Sequence, residues 1–107
     1  MKLIIAIISN EDAAECISAL TKERLKVTRL ATSGGFLRAG NTTLLCGLED
    51  EKVDTAIEII REYSQKRDEY IESGSGFSLS GINAYPVTVQ AGGAILFVLD
   101  VEKYIKI

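Results

Sequence analysis

Residues 26–47 read KVTRLATSGGFLRAGNTTLLCG, two strand-like ends around a turn of glycine, hydroxyl and basic residues. Gly34 and Gly35 let the backbone bend sharply and present its N–H groups to a ligand. Phe36 and Leu37 follow at once, apolar where a loop is ordinarily polar. Asn41, Thr42 and Thr43 then add an amide and two hydroxyls. Backbone donors, a large ring, hydroxyls and positive charge in one place suit a nucleotide-like anion better than a plain hairpin tip. Alternation over residues 25–32 sets Lys26, Thr28, Leu30 and Thr32 on one side of a strand and Val27, Arg29 and Ala31 on the other. Neither side is cleanly apolar, as expected of a strand that is half core and half binding surface. Residues 41–47 form the returning strand, antiparallel across the turn.

Charge is distributed around this stretch unevenly. Residues 24–48 carry four bases (Arg24, Lys26, Arg29, Arg38) and no acid in a chain of net charge −3, which leaves −7 for the remainder. Two readings fit this on charge alone, a segment reserved for an anion or a strand and turn that happen to be basic, and charge favours neither. The chain has no histidine. That removes Ser-His and Cys-His nucleophile systems and most zinc sites. Cys16 and Cys46 lie in apolar surroundings without metal spacing, and are expected as buried thiols in a reducing cytoplasm.

Working outward, residues 2–8 (KLIIAII) suit a central strand buried on both faces, and not a signal peptide. Ser9 and Asp12 resemble a capping box, and a helix over residues 10–22 aligns Ala13, Cys16, Ile17 and Leu20 on one face. Acids at 49–51 open a second helix whose stripe is Val53, Ala56, Ile57 and Ile60, with Arg61, Lys66 and Arg67 toward its end. Residues 72–84 (ESGSGFSLSGINA) read as a mobile loop, with Phe77 and Leu79 suited to a flap that closes on a ligand or partner. Residues 85–90 and 94–101 read as strands joined through Gly92 and Gly93, and residues 102–107 as a turn of helix. No apolar run is long enough to span a bilayer, so no membrane insertion is expected.

This order predicts an α+β, ferredoxin-like βαββαβ sandwich with an extra C-terminal strand, a single domain over residues 1–107. With both helices on one face of the sheet, the other face is uncovered in a monomer, and strands this apolar predict a homo-oligomer.

The block LATSGGFLRAGNTTLLCG (30–47), with MKLIIAI at the start and YPVTVQAGGAILFV at 85–98, resembles the PII-like cyclic-di-AMP receptor family over nearly the whole chain. The resemblance implies a PII-like homotrimer, with cyclic-di-AMP, a bacterial second messenger, in each cleft between subunits. It implies a cytoplasmic signal transducer with an unknown downstream protein partner, no nucleic acid, no cofactor, no metal and no catalysis. Carried over by position, the backbone at Gly35 and Phe36 meets a phosphate, and Phe36 and Leu37 border the nucleoside. Thr28 and Asn41 hydrogen-bond the adenosine moiety, and the Gly47 backbone reads an adenine edge. Lys26 and Val27 complete the set. The family commonly has arginine where this chain has Lys26, and lysine lacks the planar fork. The expectation is weaker binding by ~1–2 kcal/mol, recovered by Lys26→Arg. Neighbouring Arg24 or Arg29 could compensate, but strand alternation puts Arg29 on the opposite side from Lys26. Taken singly, Gly34-Gly35 is an ordinary tight turn and Thr28 an ordinary strand residue; their order together carries the reading.

Three other functions compete with this one. A sensor of ATP would have a longer loop after the second strand. A ligand-independent trimeric adaptor would dock through Phe77, Leu79 and the tail. An acyl-phosphate hydrolase would have a glycine-bearing phosphate loop after the first strand, where this chain has Ser9-Asn10-Glu11-Asp12.

Overall fold

The computed structural model describes residues 1–31, 40–72 and 86–107. Strand β1 (Lys2–Ser9) runs straight into helix α1 (Asn10–Lys22). Strands β2 (Thr28–Ala31) and β3 (Asn41–Leu48) follow, then a 3-10 turn (Asp50–Lys52) that opens helix α2 (Val53–Tyr63). The chain closes with β4 (Arg67–Glu72), β5 (Pro86–Ala91) and β6 (Ala94–Asp100).

Four strands form one antiparallel sheet in the order β2-β3-β1-β6. β1 is central because it is apolar at every position from Leu3 to Ile8 and can serve two faces. Ile4, Ala6 and Ile8 point to the helical layer and are almost wholly buried. There they meet Ala13, Cys16 and Leu20 of α1 and Ala56 and Ile60 of α2 in one core cluster. Those helix positions recur at three- and four-residue spacing, the period that aligns side chains on one face. Leu44, Cys46 and Leu48 of β3 complete the cluster from the sheet. The arrangement is compatible with a ferredoxin-like fold.

Five expectations need correction. The extra strand is not C-terminal: β6 is the fourth strand of the main sheet, paired along β1 from Lys2↔Asp100 to Ile8↔Ala94. The additional element is a separate two-stranded sheet, β4-β5, inserted between α2 and β6. Helix α2 therefore stops at Tyr63, and Arg67 begins a strand in place of ending the helix. The tail after Asp100 is irregular, without the expected turn of helix. Ser9 does occupy the N-cap of α1 but makes no side-chain capping bond. Asp12 is drawn elsewhere, to Arg67, whose guanidinium offers a charge-assisted pair that a capping box lacks. β2 is also shorter than expected, so Lys26 and Val27 precede it. The expected flap lies outside the described residues apart from Glu72, which ends β4. Among the described residues no helix is long and apolar enough to cross a membrane.

Candidate ligand-binding site

The two strands that flank the glycine turn fix what can gather beside it. β2 pairs with β3 antiparallel, with Thr28 opposite Leu45 and Leu30 opposite Thr43. Leu44 and Cys46 face the helical core, so Asn41, Thr43, Leu45 and Gly47 lie on the other face, together with Thr28 and Leu30. Thr28, Asn41 and Gly47 thus share one surface of the ribbon. Carrying the register two residues past Thr28 sets Lys26 across from Gly47. Both line a surface cleft of about 450 Å³ with Arg24, Lys52 and Tyr104. Met1 borders it too, its ammonium paired with Asp50 at 3.0 Å. That hydrogen bond holds the amine above its ordinary value and the Asp50 carboxyl below its own.

Asn41 is the least accessible of the sequence-predicted ligands, 6% exposed at the start of β3. Its Oδ1 is buried without a hydrogen-bond partner among the described residues. A buried amide oxygen left unpaired costs on the order of 1–3 kcal/mol, a cost that a ligand donor would remove. Lys26 and Thr28 are exposed and accessible. The Val27 side chain packs against the core, so only its backbone is left for a ligand. Gly35, Phe36 and Leu37 lie outside the described residues.

The exit of the turn is pinned to the start of α1. The Asn10 N–H donates to the Gly40 carbonyl at 3.3 Å, and the Thr42 hydroxyl donates to Asn10 Oδ1 at 2.6 Å. Gly40 has φ +85°, and a Cβ there would come within 2.9 Å of the Asn10 amide. Glycine is required at this position both for its backbone angle and for the close approach. Asn10, Lys52 and Tyr104 were not among the expected site residues. The acid-free run from Arg24 was the signal that could have drawn Arg24 into the site. Two larger hollows, about 600 Å³ each, lie against α2 and contain none of the predicted ligand residues.

The cleft carries Arg24, Lys26 and Lys52, and Asn41 on the same ribbon face carries an unsatisfied amide oxygen; cations suit a phosphate and a buried amide suits the polar edge of a base. Comparison with known proteins points the same way. A family model described as cyclic-di-AMP receptor matches residues 1–107. A crystal structure from Pediococcus pentosaceus, of a protein described as functionally unknown, is similar at a TM-score of 0.78 and 36% identity. That match covers 99% of this chain and 96% of the other.

Proposed function

The chain belongs to the cyclic-di-AMP receptor family, and from that premise we propose that it is a PII-like signal transducer acting as a homotrimer. One cyclic-di-AMP enters each cleft between neighbouring subunits, and the response is a rearrangement of the turn at 32–40 and the connection at 73–85. The family is a receptor family and not an enzyme family. The ligand is accordingly bound and released unchanged, in the cytoplasm, by a chain that acts as one unit.

The buried, unpaired Oδ1 of Asn41 carries this reading. It sits on the same ribbon face as Thr28 and Gly47, at the foot of the glycine turn. In the proposed complex Asn41 and Thr28 hydrogen-bond the adenosine moiety and the Gly47 carbonyl or N–H reads an adenine edge. The backbone at Gly35 and Phe36 receives a phosphate, with Lys26 supplying charge, while Phe36 and Leu37 wall the nucleoside. Val27 contributes through its backbone.

The trimer is supported by the sheet face turned away from the helices. Phe97 and Leu99 on it are 48% and 44% exposed, and Leu30 is 38% exposed. The chain measures 62 × 23 × 18 Å with a radius of gyration of 17.6 Å, against about 13 Å for a compact fold near this length. An elongated chain with an open apolar face is a subunit in want of neighbours.

The test is calorimetric titration with cyclic-di-AMP, cyclic-di-GMP, ATP and 2-oxoglutarate, alongside solution mass by light scattering. The expected result is saturable binding of cyclic-di-AMP alone, one per subunit, at three times the 11.6 kDa chain mass. Binding of ATP in its place would make the protein a different adenine-nucleotide sensor, and a monomer would remove the intersubunit cleft.

A further inference from the structure

We infer that Arg24 is a ligand-binding residue, its guanidinium meeting a phosphate of the cyclic dinucleotide; this rests on the receptor reading above. Helix α1 ends in a Schellman motif. The Leu25 N–H returns to the Leu20 carbonyl at 3.1 Å and the Arg24 N–H to the Thr21 carbonyl at 2.8 Å. The residue between the two closing bonds must turn left-handed, and glycine is the usual occupant. Here it is Arg24 at φ 63°, the one non-glycine residue with positive φ among those described. A Cβ in that conformation crowds the following carbonyl, so arginine at 24 works against stability.

Nothing in the fold calls for it. The motif is closed by the apolar contact positions Leu20 and Leu25, both buried. The Arg24 side chain is exposed and makes no ion pair among the described residues. What it does do is line the cleft that holds Lys26 and Gly47. Lys52 adds a third cation there, while Glu23 and Glu49 supply two acids. The Met1 ammonium is already engaged by Asp50. A lysine at 26 presents a point charge to a phosphate, whereas a guanidinium presents two parallel N–H donors. Arg24 therefore provides the planar fork that Lys26 does not.

The experiment sets stability against affinity in purified full-length protein at fixed concentration. Arg24→Gly relieves the left-handed strain and is expected to raise Tm by roughly 4 °C. The same variant is expected to bind cyclic-di-AMP about tenfold more weakly, or 1.4 kcal/mol. Arg24→Gln keeps the strain, leaves Tm where it was and loses the same affinity. Lys26→Arg restores binding in the Arg24→Gly background but gains less than about threefold in the wild type, because the fork is already present there. Arg24→Gly or Arg24→Gln binding within twofold of wild type would overturn the assignment and leave the receptor reading standing. A wild-type protein that does not bind cyclic-di-AMP would overturn both.

Discussion

Arg67, the first residue of β4, donates to both carboxylate oxygens of Asp12 in the first turn of α1, at 2.9 and 3.3 Å. It also reaches Glu11 at 3.1 Å. The pair joins the β4-β5 hairpin to the helical layer, and Asp12 is only 8% exposed, so water competes for it weakly. A two-stranded sheet is marginal on its own and depends on such a tie.

Arg67→Ala should therefore lower stability by about 1–2 kcal/mol, discounted because the arginine itself is partly in solvent. Asp12→Ala should cost a similar amount, and the double variant little more than Arg67→Ala alone, since both remove the Arg67–Asp12 pair and Arg67→Ala loses the more exposed Glu11 contact besides. Chemical denaturation reads the stability. Hydrogen exchange should show the loss first at the amides of β4 and β5.

Two glycines separate folding from binding. Gly92 has φ +80°, and a Cβ there would lie 2.1 Å from the Gln65 carbonyl oxygen and 2.7 Å from the Arg67 guanidinium. Backbone cannot step aside as a side chain can, so Gly92→Ala should destabilise by about 3 kcal/mol, strain and overlap together. At Gly47 a Cβ would meet only the Met1 methyl at 3.6 Å, an ordinary contact. Gly47→Ala should fold with an unchanged Tm while binding cyclic-di-AMP at least tenfold more weakly, as the methyl crowds the base edge. Thermal melts with parallel titrations distinguish the two.

The thiols report on the core. Burial pushes the Cys16 thiol up from its ordinary 9.0 to about 11, with Asp12 adding to the shift, and pushes Cys46 up as well. A thiol with a higher pKa folded than unfolded holds its proton more tightly in the native state. Its share of stability is whole below pH 9.0 and drains away as pH climbs toward 11. Native protein at pH 8 should leave both cysteines unreacted with a disulfide reagent such as DTNB, since thiolate and access are both lacking. Denaturant should release the two together. Fast labelling of either thiol in the native state would contradict their placement in the core.

The sequence made some elements plain and hid others, for physical reasons. α1 was legible to the residue because Ser9 stops the strand and Ala13, Cys16 and Leu20 keep helical period up to Lys22. β4 was not: RDEYIE carries four charges in six residues, unlike a core strand, and continues the polarity of the helix end. β6 was seen as a strand, but an apolar run fits a centre or an edge equally, and partner choice is not written in periodicity. At the site, Asn41 was singled out in the sequence for its amide, beside Gly34 and Gly35, which lie outside the described residues. The orphaned Asn41 oxygen could not be foreseen, because satisfaction depends on neighbours distant in sequence. Arg24 was legible as a base of the acid-free run and as a neighbour able to compensate for Lys26; its left-handed backbone was not, since a left-handed residue that is not glycine leaves no mark in a sequence.

The open sheet face makes the last prediction. Leu3 pairs across the ladder with Leu99, and Ile5 with Phe97. These four occupy the face away from the helices, where Phe97 and Leu99 keep nearly half their surface. In a lone subunit a carboxylate at either position would stand in water, so Phe97→Glu or Leu99→Glu should leave the helical core and the far-ultraviolet spectrum intact. In the proposed trimer the same carboxylate would be trapped between subunits without a partner, at a cost of several kcal/mol per site. Light scattering should then find monomers, and cyclic-di-AMP binding should vanish with the cleft. Thr55→Glu, on the exposed outer side of α2, should leave both mass and affinity unchanged. A Phe97→Glu protein that keeps its trimeric mass and its ligand would place the subunit contact on some other face.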